Sequence, residues 1–122
     1  MAIRFSFITI VLNGRPFLTS ALEAVYDFAH EIILVEGAVE SCRFAADAQG
    51  KSIDGTLDDI KKFPDPLKKI KLIQGLWPEK NEMQDEALKL VTGDYVWLMD
   101  SDEIYKQEDL KKVKEPLLLI LM

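Results

Sequence analysis

Short apolar runs alternate with amphipathic segments along the whole chain, and this alternation restricts the fold more than any other feature. Phe5 to Leu12 is an apolar run that stops at Asn13-Gly14, a turn pair, as a buried strand does before a loop. Pro16 suits a helix's first turn, and Leu18, Ala21, Leu22, Val25 and Phe28 then recur at helical spacing, with Glu23 and Asp27 on the opposite face. Ile32-Ile33-Leu34-Val35 is apolar on both faces, the pattern of a central parallel strand, and it ends at Glu36-Gly37. Residues 38–52 show no period and are read as one long loop, a kind that is often functional.

Asp54-Gly55-Thr56 opens a second helix, with Thr56 as the predicted N-cap and Asp58 and Asp59 in the first turn, where the helix dipole favours negative charge. It ends before Pro64. Lys69 to Gln74 reads as a third strand broken by Gly75-Leu76-Trp77-Pro78. Met83, Ala87, Leu88 and Val91 mark a third helix, with Gly93 predicted as its terminating C′ glycine. Tyr95 to Met99 is a fourth strand running into Asp100, and Tyr105 to Lys114 a last short helix. The order β-α-β-α-β-α-β-α predicts a three-layer α/β domain, a mostly parallel sheet with helices on both faces. Ligands of such sheets bind beyond the carboxyl ends of the strands. That directs attention to Asn13-Gly14, Glu36-Gly37, Gln74-Gly75 and Asp100-Ser101-Asp102-Glu103.

Charge and cysteine content narrow the function classes. The net charge of −6, with no basic stripe, excludes the electrostatic footprint of a nucleic-acid binder. The single Cys42 excludes an internal disulfide framework and a multi-cysteine zinc site, and fits a reducing compartment, with the cytoplasm as the expected location. At 122 residues a core of ordinary size forms without a metal staple, so any metal serves function. The N-terminal run has no small-residue cleavage site and reads as a strand rather than a signal peptide. Pro116 to Met122 is far shorter than the roughly 20 apolar residues of a membrane span. Such a run needs cover, from its own core, from a second copy through self-association, or from a longer parent chain.

Three carboxylates within four residues after an apolar strand repel one another unless a cation compensates them. Mg²⁺ and Mn²⁺ take one or two carboxylates together with phosphates and waters, and Asp100 and Asp102, two apart in a loop, can converge on such a centre. A solvated acidic loop is the alternative. Glu36, at the second strand's end, is expected at the same rim, as a ribose or base contact or as a solvated acid. Asp54 is either a helix cap or a neighbour of the nucleotide beside Gly55. Lys80, poorly placed for a helix dipole, is a candidate for a diphosphate or a solvated lysine. Arg15 is read as an exposed helix-start residue, with a phosphate contact as the alternative, and His30, Trp77 and Trp97 as structural, with sugar stacking the alternative for Trp77.

Together these segments resemble the family 2 glycosyltransferases. The likeness rests on Phe7 to Asn13, an apolar strand ending in Asn, and on Ile33-Leu34-Val35-Glu36-Gly37. Ser52-Ile53-Asp54-Gly55-Thr56 and the stretch Thr92 to Asp102 continue it in the family's order. The resemblance implies a GT-A fold, of Rossmann-like nucleotide-diphospho-sugar transferase type, with residues 1–122 forming a single partial, truncated domain, the donor-binding half, and the acceptor half absent. It further implies a nucleotide-diphosphate sugar held by Asn13, Glu36, Asp54, Lys80, Asp100 and Ser101, and Mn²⁺ or Mg²⁺ held by Asp100 and Asp102 of a D-x-D motif. The general base that activates an unknown acceptor lies outside the chain in this reading. Two departures stand out: about fifteen residues separate Glu36 from the D-G-T segment, and Gln84-Asp85 replaces the family's Arg-Asn pair.

Two other readings remain at this stage. A sugar-phosphate nucleotidyltransferase would need a multi-amide phosphate cradle, which the one glycine of Leu12 to Leu18 cannot supply. A non-catalytic nucleotide-binding or interaction module derived from the same fold is the other.

Overall fold

The computed structural model describes residues 3–121, with side chains through residue 114. Strands β1 (Phe5–Val11), β2 (Glu31–Val39), β3 (Ile70–Trp77) and β4 (Tyr95–Leu98) form one sheet in the order β3-β2-β1-β4. Every neighbouring pair is parallel. Helices α1 (Phe17–Val25), α2 (Thr56–Lys62) and α3 (Lys80–Leu88) make the crossovers, and α4 (Gln107–Leu121) follows β4. The α/β architecture with helices on both faces is therefore as the alternation requires.

The pleat sorts the core into two layers. Phe5, Phe7 and Val11 point from β1 toward Leu18, Ala21, Leu22 and Val25 of α1, with Ile60 of α2 and Leu110 of α4 on the same side. Ile8 of β1 and Ile33 and Val35 of β2 point the other way, onto Met83 and Ala87 of α3. The chain winds outward from β1 to β3 and then crosses back to the far side of β1. Right-handed crossovers in opposite directions put α1 and α2 on one face and α3 on the other. β2, between two partners and two helical layers, is buried at all nine positions.

Several local boundaries differ from the sequence reading. β2 does not stop at Glu36-Gly37 but continues to Val39, and β3 continues to Trp77, because Gly37 pairs with Gly75 and the Trp77 ring packs over that glycine pair. A Cβ on Gly37, at φ +144°, would lie 2.0 Å from the Gly75 carbonyl oxygen. The glycines thus permit a close strand contact instead of ending the strands. The loop 38–52 is correspondingly shorter and contains a 3₁₀ helix, Glu40–Ala45. Thr56 is the first residue of α2 rather than its cap; Gly55 occupies the cap position, and the Asp54 carboxylate accepts from Thr56 N and Oγ1 at 3.0 and 2.5 Å. Gly93 does not terminate α3, which ends at Leu88. Its amide instead donates to Ser6 Oγ at 2.9 Å, pinning the loop to β1. α4 extends to Leu121, beyond the predicted end at Lys114. The side chains of the apolar run, and with them the expected self-association surface, lie outside the described residues. Among the described residues no helix is long and apolar enough to cross a membrane.

Candidate functional site

The strand order reverses direction between β1 and β4, and the crevice at their carboxyl ends is the place where open α/β sheets bind ligands. A cavity of about 550 Å³ opens there, within the size range of ligand pockets. The β1–α1 turn supplies Asn13, Gly14 and Arg15, and the β4–α4 loop supplies Asp100, Ser101 and Asp102. Val39 and Cys42 form a wall, and Lys80 and Met83 present one face of α3.

Five of the residues singled out from the sequence therefore meet in one cavity: Asn13, Lys80, Asp100, Ser101 and Asp102. β1 and β4 are paired in register from Phe5–Tyr95 to Ile8–Leu98, so the loops that follow them must emerge side by side. Glu103 stands apart from the other two acids. Its carboxylate turns back and accepts from the Asp100 amide at 2.8 Å and from the Tyr105 hydroxyl at 2.7 Å. The Asp100 amide is the main cause that holds the Glu103 carboxyl below its usual range, with Tyr105 adding to it. The third acid thus braces the loop, leaving Asp100 and Asp102, both exposed, in the cavity lining. Among the described residues no three His, Cys, Asp or Glu side chains converge as a metal cage. A pair of carboxylates in an open cavity still fits Mg²⁺ or Mn²⁺, which complete their shells with phosphate oxygens and waters.

Glu36 does not reach the rim. It is fully buried, and its carboxylate accepts from Ser52 N at 2.7 Å and Gln74 Nε2 at 3.2 Å. Because β2 runs three residues further, the position sits inside the sheet and anchors the returning loop. Asp54 is likewise occupied: beside capping Thr56 it accepts from the Arg15 amide at 3.0 Å. Burial pushes its carboxyl up, and the Thr56 and Arg15 donors outweigh that and hold it below the usual range. Asn13, at φ +55°, uses its side chain on Ala45 O and Ile53 N, at 2.7 and 2.8 Å. These residues shape the cavity more than they offer free groups to it.

Val39, Cys42 and Met83 were not foreseen as lining residues. Met83 had a signal, since it follows Lys80 by one helical turn and shares its face. Cys42 had none, because its placement depends on how the loop folds back. Gln84 borders a small crevice with Leu98 and Asp100. Trp77 packs on the α3 side of the sheet.

Compared with known families, residues 48–118, more than half of the chain, match the glycosyl transferase family 2 model. The chain belongs to this family. As a family 2 glycosyltransferase domain it is similar to the crystal structure of S. aureus TarS, with 23% identity and a TM-score of 0.62. That likeness covers 93% of this chain and 19% of TarS. The crystal structure of S. aureus TarS 1-349 gives the same identity and TM-score, with 93% of this chain and 32% of that one covered. The likeness establishes the GT-A arrangement of the domain, and the chain spans 19% and 32% of these two relatives' lengths. No curated protein matches the chain.

Proposed function

We propose that this domain binds a nucleotide-diphosphate sugar through a divalent cation held by Asp100 and Asp102, as the donor-binding half of a glycosyltransferase. The observation that carries the reading is the meeting of Asp100, Asp102 and Lys80 in one cavity at the switch point of the sheet. Family membership supports transfer of a sugar to an acceptor.

In this reading Mn²⁺ or Mg²⁺, when bound, neutralises the diphosphate leaving group. The chain's own residues do the rest of the donor side. Lys80, at the first position of α3, places a cation against the diphosphate from the opposite wall. Ser101 offers a hydroxyl beside the two carboxylates, and Gly14, where a Cβ would lie 2.6 Å from Val11 Cγ2, lets the turn pack closely on β1. Asn13 and Asp54 order the turn and the D-G-T segment, while Glu36 fixes Ser52 from inside the sheet. The acceptor half and the base that deprotonates the acceptor hydroxyl are assigned outside these 122 residues. A cytoplasmic location belongs to the same reading, supported by the single free Cys42.

Calorimetric titration of UDP and GDP, with and without Mn²⁺, tests the reading. Binding to the native chain should require the metal, and Asp102→Asn should weaken it about 100-fold, equivalent to about 2.7 kcal/mol. Binding that ignores both the metal and the substitution would sink the assignment.

A further inference from the structure

Arg15 is half exposed in the cavity lining, yet its guanidinium is engaged by Asp59 and the Asp54 carbonyl, neither of which lines the cavity. Nε and Nη2 donate to the two Asp59 oxygens at 3.0 and 2.8 Å, a bidentate fork, and Nη1 donates to the Asp54 carbonyl at 3.1 Å. The fork lies over Gly55, where a Cβ would come within 2.2 Å of Nη1, and the +96° φ of Gly55 is one that L side chains rarely adopt. Around it the β1–α1 turn and the 52–56 segment are joined by Asn13 N to Ser52 Oγ at 2.9 Å and Gly14 N to Thr56 Oγ1 at 2.8 Å. Resting on the donor-site reading above, we propose that Arg15 is a positioning residue: with Asp59 it clamps the D-G-T segment behind the β1–α1 turn and so fixes the wall that Asn13, Gly14 and Arg15 give the cavity, against which the nucleoside rests.

The chemistry follows from the geometry. A guanidinium fork fixes direction as well as distance, which a lysine ammonium cannot do. An exposed pair of this kind contributes little to global stability, so its effect is local. The diphosphate end, at Asp100, Asp102 and Lys80, is held by other elements and does not depend on the clamp.

Calorimetry with UDP, GDP and inorganic pyrophosphate, all with Mn²⁺, separates the possibilities for native protein, Arg15→Ala, Arg15→Lys, Asp59→Asn and the Arg15→Ala/Asp59→Asn double variant. The clamp predicts about tenfold weaker nucleoside diphosphate binding for each single variant, and a double variant no weaker than the singles, as for residues acting as one unit. Pyrophosphate binding should stay within about twofold of native, which distinguishes positioning from loss of a phosphate contact. Amide exchange at Gly14, Ile53 and Thr56 should rise in the same variants. Nucleotide binding untouched by Asp59→Asn but weakened by Arg15→Ala would overturn the proposal in favour of direct contact, as would weakened pyrophosphate binding. Native protein that binds neither nucleotide nor pyrophosphate would fail the donor-site reading and this proposal with it; native binding with unaltered variants would fail this proposal alone.

Discussion

Glu31 is an ionisable residue whose burial and hydrogen bonds commit it to stability. Its carboxylate is nearly fully buried and takes donors from Lys71 Nζ at 2.7 Å, Ser6 Oγ at 2.6 Å and the Thr92 amide at 2.6 Å. Burial alone would raise its pKa, but these donors outweigh burial and lower it from 4.5 to about 2. A depressed carboxylate pKa stabilises the fold above the unfolded value, and that contribution is lost as pH falls from about 4.5 toward about 2. Glu31→Gln should therefore cost on the order of 3 kcal/mol at pH 7 and less at pH 3, as read by urea unfolding at both pH values. None of this was legible locally. A glutamate before an apolar run is ordinary in sequence, and its three donors come from residues 25, 40 and 61 positions away. Glu36 shows the same limit in reverse: its place at a strand end was inferred from a Gly that the sheet uses for close pairing.

The elements were more legible than their ends. Leu18, Ala21, Leu22 and Val25 mark α1 because a 3.6-residue period needs only near neighbours to declare itself, and all four are buried. Leu22→Ala, leaving a void between α1 and the sheet, should destabilise by about 2–5 kcal/mol in denaturant unfolding. β2 and β3 were read short because Gly37, Gly75 and Pro78 look like punctuation, while pairing of the two glycines under Trp77 carries the ladder past them. Gly37→Ala should cost about 2 kcal/mol or more, since the added methyl meets a backbone carbonyl and the +144° φ is strained, and thermal unfolding checks it. The loop after β2 separates the first β-α-β unit from the D-G-T segment. The family match begins at residue 48, on the far side of its 3₁₀ helix.

At the scale of the whole domain, the sheet's reversal between β1 and β4 makes the cavity, and occupancy of that cavity should feed back on stability. If the donor reading holds, UDP or GDP with Mn²⁺ at 100 times Kd adds about 2.7 kcal/mol and raises the Tm by roughly 10 °C, a shift that Asp102→Asn should remove in a thermal melt. β4, at the sheet's edge, leaves Val96 and Leu98 exposed. The sequence by itself determined the β-α order, the parallel sheet with helices on both faces, and the carboxyl-end positions at Asn13 and Asp100 to Asp102. Those features are written in side-chain periods of 2 and 3.6 residues and in turn chemistry, which short stretches express on their own. Tertiary structure alone decided that β4 lies beside β1, that Glu36 is buried while Asp100 and Asp102 are open, and that Arg15 grips Asp59. Those outcomes depend on groups far apart in the chain competing for the same space and hydrogen-bond partners, and only the assembled sheet brings the groups together.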